Sequence, residues 1–138
     1  MTSREQPAAG KKILIVDDEL NVRIYVSTLF ETSGYIPIVT RNGKEGLQKA
    51  KALSPDLIIL DVMMPEAGGV TMYRKLKIDP QLKDIPVIML TGVGQNSFSH
   101  YLKMLNIQVK DPIPEPDAYM EKPLDHDKLL ELAEQLLN

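Results

Sequence analysis

The side chains in this chain with the most evident chemical potential are polar groups placed at the ends of short aliphatic runs. Asp17, Asp18 and Glu19 directly follow Ile13-Leu14-Ile15-Val16, and Asp61 closes Leu57-Ile58-Ile59-Leu60. Thr91 ends the run Pro86-Val87-Ile88-Met89-Leu90, and Lys122 comes shortly after Ala118-Tyr119-Met120. Taken singly, each has an ordinary explanation. Acidic residues ahead of a helix cap it and complement its dipole, an aspartate before a Pro/Gly loop is a turn residue, and lysine is rarely anything but solvated. Taken together they form a set, because the polar groups stand at the ends of the runs and not inside them.

If Asp17, Asp18, Asp61, Thr91 and Lys122 share one location, the carboxylates repel one another and raise one another's pKa unless a cation neutralises them. Oxygen-only ligation with open positions suits Mg²⁺, which keeps several waters and shares its sphere with phosphate oxygens. A carboxylate beside such a metal is a nucleophile toward phosphorus and forms an aspartyl phosphate. The metal, the Lys122 ammonium and the Thr91 hydroxyl would then neutralise or hydrogen-bond the non-bridging phosphoryl oxygens. The chemistry is capture of a phosphoryl group.

Such a convergence requires strands that all run the same way. The central run, Leu57 to Leu60, is aliphatic throughout and bounded by Pro55, Pro65, Gly68 and Gly69, which predicts a strand buried on both faces. Lys12–Val16, Ile36–Val39, Pro86–Leu90 and a weaker Ala118–Met120 supply four more. Helical periodicity falls between them: Val22, Val26, Leu29 and Phe30, ended by Gly34; Leu47, Ala50 and Leu53 in a helix from about Asn42; Val70, Tyr73 and Leu76; Phe98, Tyr101, Leu102 and Leu105; and Leu129, Leu132, Ala133 and Leu136 after the N-cap candidate Asp125. Five alternations of strand and helix predict an α/β chain with a parallel sheet, right-handed crossovers and helices on both faces. Ligands of such sheets bind outside the carboxyl ends of the strands, where all the singled-out residues fall.

A length of 138 residues suits one domain, predicted over residues 11–138, with residues 1–10 as a polar, disordered lead-in. The net charge of −3 gives no reason to expect nucleic acid or an anionic membrane as a direct partner. The absence of cysteine excludes disulfides, thiolate metal sites and cysteine catalysis. The first apolar run is cut short by acids, so neither a signal segment nor a membrane span is expected, and the expected location is cytoplasmic.

The motifs Ile13 to Glu19, Asp61-Val62-Met63-Met64-Pro65 with Gly68-Gly69, Leu90-Thr91-Gly92 and Lys122-Pro123 resemble the receiver domain of two-component response regulators across residues 12–137. The resemblance implies a doubly wound, flavodoxin-like three-layer sandwich whose five parallel strands lie in the order 2-1-3-4-5. Position by position, it implies that Asp61 is the phosphoacceptor, that Asp18 and the Met63 carbonyl bind Mg²⁺ directly, and that Asp17 holds it mainly through water. Thr91 would bond the phosphoryl group, Lys122 would pair with it, and Tyr119 occupies the aromatic switch position. The donor would be a sensor histidine kinase, a phosphotransfer protein or a small phosphodonor, and the output a changed surface for an unidentified downstream protein. Such a domain catalyses at most its own phosphorylation and dephosphorylation, either as a stand-alone regulator or as a receiver excised from a longer protein.

This chain departs from the pattern in two places. Thr91 and Lys122 stand 31 positions apart, longer than is usual in the family, and the excess falls in Asn106 to Asp117, where Pro112, Pro114 and Pro116 alternate. That segment is stiff, and Ile107, Val109 and Ile113 make it apolar enough to pack. Apolar Met63 and Val93, two residues beyond Asp61 and Thr91, cannot orient an attacking water, so a slow loss of the phosphoryl group is expected. One alternative is an aspartate-nucleophile phosphatase or phosphotransferase, for which a second acid two residues after the nucleophile is missing at Met63. Another is a receiver used purely as an interaction module.

Overall fold

The structure, a computed structural model, describes residues 10–62, 68–92, 94, 96, 97, 99, 100, 103 and 113–138. In chain order the elements are β1 (Lys12–Val16), α1 (Leu20–Thr32), β2 (Ile36–Thr40), α2 (Gly43–Leu53), β3 (Leu57–Asp61), α3 (Gly69–Ile78), β4 (Val87–Thr91), β5 (Ala118–Glu121) and α4 (His126–Leu137). The five strands form one parallel sheet in the order β2-β1-β3-β4-β5, as the resemblance implies. Pro86 lies just outside β4, since it has no N–H for the ladder, and its carbonyl accepts from the Ile58 amide at 3.0 Å. Of the helix expected around Phe98 to Leu105, Asn96, Ser97, Ser99, His100 and Lys103 are helical. Its apolar positions Phe98, Tyr101, Leu102 and Leu105 lie outside the described residues.

Period-two alternation along the strands divides the core into two layers. Leu14, Val16, Ile58, Leu60, Val87 and Met89 face Ala50 of α2 and Met72, Tyr73 and Leu76 of α3. Ile13, Ile15, Leu57, Ile59, Ile88 and Leu90 face Val26 and Phe30 of α1 and Leu129 and Ala133 of α4. All the strand residues named here are completely buried, which explains why they are aliphatic without alternation: each face of the sheet has a helix layer to cover it. Burial of one such side chain contributes about 1.5–3 kcal/mol, so the three central strands supply most of the force that closes the fold.

Local capping sets where the helices start. Asn42 Oδ1 accepts from the Glu45 amide at 2.8 Å at the head of α2, and Asp125 Oδ1 accepts from the Asp127 and Lys128 amides at 3.0 and 3.2 Å at the head of α4. The start of α3 is set differently, by contact. A Cβ on Gly69 would overlap the Asp61 carbonyl oxygen and Val62 Cα, so only glycine lets this helix begin directly against the exit of β3.

The fit at Gly69 leads to a direct expectation. Gly69→Ala must push α3 away from β3 and should lower unfolding free energy by about 1–3 kcal/mol. Gly92→Ala, where an added Cβ meets nothing within 4 Å, should stay within about 0.5 kcal/mol of wild type. Urea unfolding of the two variants measures both; equal midpoints would show that the backbone contact at Gly69 carries no energy.

Candidate functional site

β1 and β3 deliver their acids side by side. Val16 is paired with Leu60 in parallel register, so the next residues on the two strands, Asp17 and Asp61, emerge as neighbours at the carboxyl edge. Both are buried, Asp17 completely and Asp61 to 2% exposure. On the far side of β3, Leu90 is paired with Asp61, and Thr91 follows as the fully buried last residue of β4. The Thr91 carbonyl accepts from the Lys122 amide at 2.8 Å. That bond holds the end of β5 beside β4 and sends the Lys122 side chain back across the edge toward β1.

Lys122 Nζ stands 3.1 Å from Asp17 Oδ2, 3.0 Å from Glu19 Oε1 and 3.4 Å from Asp61 Oδ2. One ammonium thus donates to three carboxylates from two chain segments, the run after β1 and the end of β3. Carboxylate oxygens of Asp17, Glu19 and Asp61 all lie within 4.8 Å of one another, which makes these three the described acids able to hold a common metal ion. Asp18 is exposed and is not one of the three acids whose oxygens converge. Met63, whose carbonyl the resemblance assigns to Mg²⁺, lies outside the described residues, as does Val93.

The presence of Glu19 was not anticipated, although the sequence carries a signal for it. Glu19 has extended backbone, φ −92° and ψ 121°, but Asp18 before it is a bend, and an aspartate whose carboxylate accepts from the amide two residues on closes a tight turn. That turn brings Asp17 and Glu19 to the cluster together while Asp18, between them, is exposed. The turn is fixed by the Glu19 amide donating to Asp17 Oδ1 at 2.9 Å, by the Asp17 amide donating to the Thr40 carbonyl at 3.2 Å, and by Arg23 donating to the Asp17 carbonyl at 2.9 Å.

The electrostatics follow from burial. The Asp17 carboxyl is pushed up from 3.8 to about 6, chiefly by desolvation and in smaller part by the charge of Asp61, against the opposing pull of the Glu19 amide and Lys122. Burial alone would lower the Lys122 ammonium, but its bonds to Glu19 and Asp17 and the charge of Asp61 outweigh this and hold it above the usual lysine range. Lys122 is therefore charged at neutral pH, and it sets a positive charge against the buried acids. The donor set is entirely oxygen and anionic, which fits Mg²⁺.

Tyr119 sits half-buried on β5 opposite Met89, on the α2–α3 side of the sheet. Its hydroxyl donates to Glu115 Oε1 at 3.1 Å. Of the apolar residues in the long segment before β5, Ile113 is packed into the core at 4% exposure; Ile107 and Val109 lie outside the described residues. No described helix is long and apolar enough to cross a membrane.

A pH dependence follows from Asp17. Its folded pKa is raised, so below about pH 4 it is protonated in both folded and unfolded states and contributes nothing. Between about pH 4 and 6 the unfolded chain ionises first and stability is lost. In chelator, Asp17→Asn should therefore gain stability relative to wild type as pH rises from 4 to 6. Thermal unfolding across that range measures it; a constant difference would show that the buried carboxyl does not resist ionisation.

Comparison with known proteins adds the family context. The family model described as response regulator receiver domain matches residues 13–134. The polar-differentiation response regulator DivK of Brucella anthropi is 34% identical over 128 residues, covering 92% of this chain and 96% of that protein. The chemotaxis protein CheY4 of Vibrio cholerae superposes with a TM-score of 0.79 at 27% identity, covering 93% of this chain and 99% of that one. The signal receiver domain of a signal transduction histidine kinase from Syntrophus aciditrophicus gives a TM-score of 0.78 at 32% identity, covering 93% of this chain and 90% of that one.

Proposed function

Because the chain belongs to the response regulator receiver family, we propose that it is a phosphorylation-activated switch whose phosphoacceptor is Asp61. The observation that carries this reading is the contact of one ammonium, Lys122 Nζ, with three carboxylates, one of which is Asp61 at 2% exposure on the end of the central strand. Three acids within reach of one another make an anionic, all-oxygen edge of the kind that holds a divalent cation.

In the proposed reaction a carboxylate oxygen of Asp61 attacks phosphorus of a phosphohistidine. The new bond is the acyl phosphate O–P bond, and the P–N bond breaks, its electron pair returning to the imidazole nitrogen. Lys122, already 3.4 Å from Asp61 Oδ2, pairs with a non-bridging oxygen, and the Thr91 hydroxyl hydrogen-bonds another. Asp17, Glu19 and Asp61 are the side chains that would hold Mg²⁺, with Asp18 and the Met63 carbonyl as the further ligands that the family pattern implies. When bound, the ion supplies the charge that offsets the phosphoryl oxygens.

The donor side of the reading rests on α1, which begins directly after the acidic run. Leu20, Ile24 and Tyr25 are 60%, 54% and 42% exposed, and Leu20 and Ile24, four residues apart, share one face of the helix beside the site. An apolar patch in that place suits the helical surface of a histidine kinase or phosphotransfer protein presenting its phosphohistidine.

Incubation with Mg²⁺ and phosphoramidate, followed by intact-mass measurement, tests the acceptor. Wild type should gain the mass of one phosphoryl group, and Asp61→Asn should gain none, a loss of at least about 100-fold in rate. Labelling of Asp61→Asn at the wild-type rate would place the acceptor elsewhere.

A further inference from the structure

The long segment between β4 and β5 returns to the sheet as a strap, residues 113–117, that is pinned along its length. Ile113 is buried among the α3-side core residues. The Pro114 carbonyl accepts from the hydroxyl of the fully buried Tyr73 of α3 at 2.8 Å. Asp117 exchanges two bonds with Val87, its amide donating to the Val87 carbonyl at 3.1 Å and its Oδ1 accepting from the Val87 amide at 2.9 Å. Between these anchors, Glu115 projects one carboxylate oxygen that receives two hydroxyls, Ser99 Oγ at 3.0 Å and Tyr119 Oη at 3.1 Å.

Register relates this carboxylate to the phosphoryl-binding edge. Tyr119 is paired with Met89 and Glu121 with Thr91, so Tyr119 and Thr91 lie one side-chain step apart on the same face of the sheet. If Thr91 moves toward a phosphoryl oxygen, the space it leaves opens toward the Tyr119 ring. A ring whose hydroxyl is bonded to Glu115 cannot follow without breaking that bond or drawing the strap with it, and the strap is tied to Tyr73 and to Val87. Burial of the phenol, and after it the hydrogen bond to Glu115 and the charge of Glu115, disfavour loss of the phenolic proton, so the hydroxyl stays a donor to Glu115 at any ordinary pH.

We infer that Glu115 is a positioning residue: it holds Tyr119 in the unphosphorylated arrangement through the Tyr119 hydroxyl and so sets how strongly the switch resists activation. This rests on the reading of Asp61 as acceptor and of Tyr119 as the moving aromatic. A phosphoryl group can shift a two-state equilibrium only by its differential interaction with the two states, and a contact made in only one of them is part of that difference. Because the triad of Ser99, Glu115 and Tyr119 is largely exposed, its effect is that of a screened, charge-assisted bond, a change of about two- to five-fold in apparent affinity.

The test is a titration of the Mg²⁺-loaded protein with beryllofluoride, a tetrahedral phosphoryl mimic, followed by NMR of the backbone amides. Glu115→Ala should half-saturate at about two- to five-fold lower beryllofluoride than wild type, and Glu115→Gln, which keeps an acceptor without the charge, should fall between. In a Tyr119→Phe background, which already lacks the hydroxyl, Glu115→Ala should bring no further change. An unchanged midpoint in Glu115→Ala overturns the inference. So does an equal gain in both backgrounds, which would make Glu115 a strap anchor acting through Ser99 alone. Failure of wild type itself to bind the mimic would instead overturn the reading of Asp61, and the role of Glu115 with it.

Discussion

Two aspartates with almost no access to water, standing as neighbours at one sheet edge, are a constraint that the rest of this molecule answers to. Buried like charges are tolerated only with a counter-charge in contact, and here the Lys122 ammonium reaches from the opposite part of the sheet to Asp17, Asp61 and Glu19. Lys122 belongs to the end of β5, Asp17 to the end of β1, and Asp61 to the strand between β1 and β4. The pairing therefore closes only if all five strands run the same way and in this order. A fold whose helix layers already cover both faces of the sheet leaves this edge as the place where polar groups can gather.

The rigidity of that edge comes from packing rather than from the polar cluster. Three central strands without solvent exposure hold the roots of Asp17, Asp61 and Thr91, and α3 is seated so closely on β3 that Gly69 has no room for a side chain. Close-packed interiors respond to a new charge by switching between discrete arrangements rather than by bending continuously. On the proposed reading the residues that would switch are Thr91 on β4 and Tyr119 on β5, and the strap bearing Glu115 would set how strongly Tyr119 is held.

The sheet order and nearly every element were legible because their signals are local and strong: aliphatic runs, a proline or glycine at each boundary, asparagine and aspartate caps. Strand ends moved by only one residue, as at Pro86, which has no N–H for the ladder, and at Thr40, whose carbonyl accepts from the Asp17 amide and extends β2 by one pair. The meeting of Asp17, Asp61 and Lys122 was also legible, since strand ends of a parallel sheet must converge. Less visible was which member of an acidic run turns inward. The run Asp17-Asp18-Glu19 reads as equivalent charges until the bend at Asp18 and the bond from the Glu19 amide to Asp17 Oδ1 are known, and that turn brings Asp17 and Glu19 together at the cluster. The partner of Tyr119 could not be read at all, because Glu115 reaches it through the path of an irregular strap pinned by Tyr73, and periodicity does not describe such a segment.

On the proposed reading the acids at this edge are shared between Lys122 and a divalent cation. Calorimetric titration of Mg²⁺ into wild type, Lys122→Ala and Asp17→Ala tests it most directly. If the ammonium and the metal compete for the same carboxylate oxygens, linkage requires Lys122→Ala to bind Mg²⁺ more tightly than wild type, by about ten-fold or more, and Asp17→Ala to bind it far more weakly. Equal Mg²⁺ affinity in wild type and Lys122→Ala, or binding that survives unchanged in Asp17→Ala, would contradict the account.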